Sequence, residues 1–211
     1  TVTGVQTCAL PIFRADVDKL DPEFRPVLQG MNDTLDAVVK PLNVAAAYVE
    51  RIGNGDMPPK ITDTYNGDFN TIKNNLNKCI DAVNLLVADA NMLSVAAVEG
   101  RLATRADAAK HQGDFAKIVK GVNDTLDAVI GPLNVAADYV DKISKGAIPQ
   151  KITANYNGDF NNIKDNLNKC IDAINLLISD SFVLVQAAVE GRLATRADAA
   201  KHQGDFAKIV K

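Results

Sequence analysis

The chain has no tryptophan, and aromatic residues fill only 5% of its 211 positions, so any core it builds has to be aliphatic. Its three cysteines, Cys8, Cys79 and Cys170, are widely spaced and form no CxxC pair. That count excludes a paired disulfide framework and fits a reducing compartment. Basic residues form no block: 23 Lys and Arg stand against 26 Asp and Glu, for a formal net charge of -3. Nucleic acid is therefore a poor partner. No uninterrupted apolar run approaches the roughly 18 residues that cross a bilayer, so the expectation is a chain without a transmembrane segment. The best run, 171–178, is broken by Asp172 and Asn175. No basic stretch followed by an apolar one opens the chain, so no secretory signal is expected.

Chemical motifs are also missing. There are no paired catalytic carboxylates and no nucleophile with a histidine and an acid. The segment from Gly100 through Leu102 to Asp107 lacks the Lys-Ser/Thr ending of a phosphate loop. No enzyme, cofactor, metal site or small-molecule substrate is expected. The hydrophobic fraction of 47% is nevertheless too high for a disordered chain.

What the chain does have is a repeat. Residues 30–120 realign on 121–211, a period of 91, with roughly three-quarters of positions identical. The register reaches upstream, where Arg14-Ala15-Asp16 matches Arg105-Ala106-Asp107 and Phe24 matches Phe115. The first thirteen residues have no counterpart in the repeat, and 2–12 resemble a translated sequencing adapter. They are set aside as an assembly artefact, and Cys8 with them. Both ends are expected to be cut from a longer array.

Each period holds two similar units. After each Asp-Phe, apolar residues step by three and four: Phe69, Ile72, Leu76, Cys79, Val83, Leu86, Ala90 and Leu93. This is a coiled-coil seam. The helix opening at Phe115 keeps the same steps but doubles a four near 118–126, a stutter that locally unwinds a supercoil. Asp68, Asp114 and Asp159 precede their Phe in the first turn, where a carboxylate suits the positive helix end. Asp21-Pro22-Glu23-Phe24 predicts a helix start of the same kind, with proline at its first position.

Two kinds of connector separate the helices. One runs from Gly55 to Asn66 and again from Gly146 to Asn157; the other runs from Gly100 to Gln112 and again from Gly191 to Gln203. The glycines suit the left-handed C-terminal cap, and Pro58-Pro59 forbids the helix to continue. An antiparallel helical hairpin needs only about 2–8 linking residues. The dozen here could span about 40 Å of extended chain, enough to run back along a helix and start the next one parallel to it. Apolar residues two and six places after each glycine would pin that return strand: Met57 and Ile61, Leu102 and Ala106, Ile148 and Ile152, Leu193 and Ala197. Two parallel helices leave each seam half covered, and each buried Leu or Ile contributes about 1.5–3 kcal/mol. A second copy of the chain is the simplest cover.

These residues resemble the HAMP domain, the relay module of bacterial chemoreceptors and sensor histidine kinases, in tandem from Arg14 to Lys211. Pro41-Leu42 and Pro132-Leu133 precede Gly55 and Gly146 by fourteen residues, as in that family. Asp68-Phe69 and Asp159-Phe160 stand where the family has Glu and its hydrophobic neighbour. Gly67 and Asn70 depart from its pattern, and the units centred on Gly100 and Gly191 lack the proline. The alternation is similar to the poly-HAMP arrays of methyl-accepting chemotaxis proteins.

The resemblance implies an all-α fold of stacked parallel four-helix coiled-coil units formed by a homodimer, with long continuous helices and extended connectors. The segmentation is 14–38 for a partial unit (second helix), 39–87 for a HAMP unit, 88–129 for a divergent one, 130–178 for a HAMP unit and 179–211 for a truncated divergent one. Its implied function is to relay conformational change from a sensory input to a cytoplasmic output in chemotaxis. A kinase relay, a passive spacer and a helical scaffold are the alternatives. The implied partners are a second copy and adjoining sensory and output domains. The implied place is the cytoplasmic portion of an inner-membrane-anchored receptor, with no transmembrane segment in this stretch.

The relay and packing residues are the connector pins together with Pro41, Pro132, Gly55, Gly100, Gly146, Gly191, Asp68, Phe69, Asp114, Phe115, Asp159 and Phe160. Pro41 and Pro132 read either as the start of a new helix after a break or as a weak point where the entering helix tilts. His111 and His202 read as surface connector residues, Cys79 and Cys170 as small buried seam residues, and the Asn-rich faces around Asn74 and Asn77 as solvated helix.

Overall fold

The computed structural model describes residues 14–211; the adapter-like segment and Cys8 lie outside the described residues. The fold is all-α. Its elements are α1 (Arg25–Gly53), α2 (Gly67–Val98), α3 (Gly113–Ser144), α4 (Asp159–Val189) and the short α5 (Gly204–Ile209). Single 3-10 turns lie at Val17–Lys19, Ala108–Lys110 and Ala199–Lys201. The chain forms two compact units, Thr1–Lys120 and Gly121–Lys211. The first turns of α3 belong to the first unit and the rest to the second.

The helix ends follow from local chemistry. Asp68, Asp114, Asp159 and Asp205 each occupy a first turn, against the positive end of the helix dipole. Gly55 and Gly100 take φ of +78° and +75°, the left-handed geometry that closes a helix and that a Cβ disfavours. The amide of Asp56 then bonds the carbonyl of Arg51 (2.9 Å), and that of Arg101 bonds Ala96 (2.8 Å). At the start of α1 the structure differs from the sequence reading. Residues 21–24 form a turn, and the helix begins at Arg25 with Pro26 in its first turn. A proline suits either place, because neither needs its N–H. Pro41 and Pro132 begin no new helix: α1 and α3 run through them.

In the first unit the connector 55–66 runs back along α1. It leaves the end of that helix at Gly55, yet Ile61 and Tyr65 lie among Pro41, Val44 and Ala45. Against α2 it is antiparallel: Lys60 meets Asp81, Ile61 meets Asn77, and the carbonyl of Asp63 meets Lys73. Two antiparallel steps make α1 and α2 parallel. The second connector returns in the same way, with Arg101 bonded at Ala96, His111 at Asp89, and Phe115 beside Ala82 and Leu85. In the second unit Lys151 meets Asp172, Ile152 meets Asn168 and His202 meets Asp180.

The expectation of a chain without a membrane-length segment is overturned. Within α2 (Gly67–Val98) an 18-residue window has mean hydropathy 1.4, and within α4 (Asp159–Val189) one reaches 1.5. Each window carries at most two Asp, Glu, Lys or Arg, so both helices are long and apolar enough to cross a membrane by length and composition. An unbroken apolar run is a stricter demand than a high average, and lone polar residues such as Asp172 and Asn175 spoil the run without spoiling the average. The placement of the chain that rested on this expectation falls with it. Only 17% and 11% of the two windows are buried within the chain.

Candidate functional site

The seam between helix and connector gathers six of the residues singled out above. In the first unit Pro41, Ile61 and Phe69 converge with Tyr65, Ile72 and Leu76 around a void of about 10 Å³. In the second unit Pro132, Ile152 and Phe160 do the same with Tyr156, Ile163 and Leu167. A void of that size holds one water at most, so the prolines pack against close apolar neighbours. Ile61 and Ile152 are buried, Met57 and Ile148 half-buried, and Pro58 wholly enclosed. Gly55, Gly100, Gly146 and Gly191 stay outside the clusters, at the exposed helix ends. Asp68, Asp114 and Asp159 are exposed, and Phe115 is half-buried.

What fastens the first connector is an asparagine. The carboxamide of Asn77 accepts from the Ile61 amide at 2.8 Å and donates to the Ile61 carbonyl at 2.9 Å. Asn168 grips Ile152 in the same way, at 2.8 and 3.0 Å. An extended residue running along a helix has both main-chain groups unpaired, and an amide side chain is the group that satisfies both. Further upstream Asn32 holds Ala15, at 3.1 and 2.9 Å, beside an ion pair between Arg14 and Asp36. Arg14 keeps the Asp36 carboxyl below the ordinary carboxylate range. At the end of α1, the hydrogen bond from Arg51 does the same for Asp56. Burial, and then the charge of Asp63, pushes the Tyr65 phenol up.

The second connector carries a further kind of fastening. Ala106 is buried, at 5% exposure, but Leu102 and its repeat Leu193 are exposed, so neither pins the strand as expected. The cause is a turn just after the cap, closed by the Thr104 amide on the Arg101 carbonyl, which leaves Leu102 on its outer side. The buried side chain here is His111. Its ring is 1% exposed, and Nε2 lies 2.7 Å from Oδ2 of Asp89, itself 18% exposed. An ionised carboxylate only accepts, so Nε2 carries the hydrogen and donates. His202 and Asp180 repeat the pair at 2.7 Å. An open groove of about 430 Å³ lies beside His111, lined by Lys78, Asp81, Leu85, Lys110 and Phe115.

Three sequence readings are corrected here. His111 and His202 are buried partners of aspartates, not surface residues. Asn77 and Asn168 are clamps, not solvated helix. Cys79 and Cys170 are exposed, because nothing among the described residues of the single chain covers them. The buried positions of α2 and α4 are instead Ile80 and Ala96, and Ile171 and Ala187. A signal for the clamp was present, since Asn recurs sixteen residues after both Ile61 and Ile152. For the His–Asp pair the separation of 22 residues matches no helical or hairpin period, so periodicity could not reveal it.

Comparison with known families finds the same pattern at two places in the chain. The HAMP domain pattern fits residues 20–85 and again 110–176. No solved structure matches the chain.

Proposed function

The chain belongs to the HAMP domain family, as a tandem array, and on that premise we propose that it is the relay segment of a bacterial chemotaxis receptor, working as a parallel homodimer. HAMP domains are signal-relay modules of receptors. The observation that supports a moving relay is the incomplete cover of parallel helices. Ile72 on α2 and Ile118, Val122, Val129 and Leu133 on α3 are exposed apolar side chains at seam spacing, and Cys79 on α2 is exposed as well. A second copy placed in register covers that seam and completes a four-helix bundle. Such a bundle can hold two packings separated by a few kcal/mol, so a rotation or shift entering one helix changes the packing passed on.

In this reading the working segments are 14–38, 39–87, 88–129, 130–178 and 179–211. The connector pins and the Pro41–Phe69 contact set the balance between packings, and the glycine caps and Asp-Phe starts mark where helices end and begin. Oxidation of the dilute chain with Cys8 replaced by Ser tests the pairing. Cys79–Cys79 and Cys170–Cys170 links are expected. Mixed Cys79–Cys170 links indicate an antiparallel pair, and a monomer by light scattering removes the dimer. Recovery only with lipid vesicles puts lipid where the second chain is proposed. Met57→Ala and Ile61→Ala in a complete receptor test the relay itself: a changed chemotactic output is expected, and unchanged output in both leaves a passive spacer.

A further inference from the structure

The polar fastenings of the two connector types point to different helices. In the connector 55–66, the bonds to α1 end with the cap at Asp56. From residue 57 onward, among the described residues, every hydrogen bond or ion pair from the connector to a helix goes forward to α2. These are the two bonds to Asn77, the Lys73 bond to the Asp63 carbonyl (3.1 Å) and the Lys60–Asp81 pair (2.7 Å). Toward α1 the strand offers Ile61 and the ring of Tyr65, facing Pro41, Val44 and Ala45. The second unit repeats this: after the cap at Ala147, Ile152 bonds Asn168 and Lys151 pairs with Asp172, both on α4. Toward α3 the strand offers Ile152 and the ring of Tyr156, facing Pro132, Val135 and Ala136.

The connector 100–112 is fastened backward as well. His111 sits at its far end, ten residues beyond the cap residue Arg101, and there it bonds Asp89 on the helix the chain has just left. His202 ties back to Asp180 in the second unit. The upstream relative of this connector is also held forward, through Ala15 to Asn32 and Arg14 to Asp36 on α1. Directional bonds resist sliding, because a small displacement breaks their geometry. Apolar contact tolerates sliding, since dispersion and burial are not directional.

We infer that the array alternates between units whose first helix is free to shift and units strapped against that shift. In the proline-bearing units Asn77 and Asn168 make the connector travel with the second helix, and in the others the buried His–Asp pair ties the connector to the first. The inference rests on the relay reading for its purpose, though not for its mechanics. Asn77, Asn168, His111 and His202 are positioning residues in it: each acts by holding a strand in place. One carboxamide carries both bonds of the Asn clamp, so the two break together and the connector is either seated or released.

The test uses the full chain with its cysteines replaced by Ser, nitroxide pairs at exposed positions, and excess unlabelled chain. Pairs are placed at Ala47 and Thr62 (α1 to connector), at Thr62 and Lys78 (connector to α2), and at Ala88 and Lys110 (α2 to second connector). Double electron–electron resonance is expected to show a distance spread for the first pair at least twice that of the other two. His111→Leu should widen the third pair about twofold while circular dichroism holds, and Asp89→Ala should do the same. The exchange Asp89→His with His111→Asp should narrow it again, which a merely structural loss would not. Equal spreads in the starting chain, or no widening in either single variant, overturn the inference. If the spreads follow and His111→Leu leaves a complete receptor's output unchanged, the strap stands and the relay reading falls.

Discussion

Pro58 is wholly enclosed in the first connector, while the second has no proline and encloses His111 instead. Both strands return along a helix, and the second encloses a polar pair that the first lacks. The first buries Ile61 at 6% exposure and leaves its ion pair, Lys60–Asp81, more than half exposed. The second leaves Leu102 at 42% and buries its polar pair. Apolar burial contributes in proportion to area and tolerates small motions. A buried hydrogen-bonded pair contributes little net but is costly to break, so it specifies position more than it adds stability. The chain thus places a compliant joint and a stiff one within each 91-residue period.

The largest test of that contrast is loss of the apolar pin. Ile61→Ala should destabilise the first unit by about 2–5 kcal/mol through lost burial and the cavity left behind. Leu102→Ala should change stability by less than about 0.5 kcal/mol. Urea unfolding of the two variants compares them, and equal losses would break the contrast.

A second test exchanges the helix breaker. Leu86 stands fourteen residues before Gly100, where Pro41 stands fourteen before Gly55. Pro41→Ala should raise stability by up to about 3 kcal/mol, since it restores a helix N–H and removes a ring clash, whereas Leu86→Pro should lower it by about 3 kcal/mol or more. Thermal melting followed at a helix signal reads both.

Next comes the polar pair. His111→Leu should cost about 1–3 kcal/mol by leaving the mostly covered Asp89 carboxylate short of its donor. Lys60→Met, at an exposed pair, should cost less than about 1 kcal/mol. A Lys60 variant as damaging as the His111 variant would put the stiff joint in the wrong connector.

The smallest effect is in acid. Hydrogen bonding from Arg14 depresses the Asp36 carboxyl in the fold. Its contribution to stability is therefore present above the unfolded-state value and lost as pH falls through the lowered folded value. Asp36→Asn should remove only that part of the acid dependence, seen as a flatter melting-temperature profile below the carboxylate range. A variant as acid-sensitive as the parent shows that Arg14 does not hold the strand.

Much of this was readable in the sequence because it depends on local spacing. The helices around Phe69, Phe115 and Phe160, the caps at Gly55 and Gly100, and the return of the connectors all follow from steps of three and four, from backbone geometry and from chain reach. The burial of Ile61 and Ile152 was legible for the same reason. Leu102 and Leu193 were not, because a turn of four residues decided which way they face. The buried partners of Asn77 and His111 were missed because polar residues at helical spacing look like solvated surface until a strand is laid over them. The membrane-length character of α2 and α4 was missed because runs were judged rather than averages.

By itself the sequence determined an all-α tandem HAMP array: periodicity, the 91-residue repeat and the connector lengths are one-dimensional quantities, and local sterics convert them directly into helices and return strands. Only the tertiary structure decided which helix each strand is tied to. That choice rests on single polar side chains meeting a backbone or a carboxylate 16 to 22 residues away, and such a meeting depends on how three segments pack together at one level of the fold.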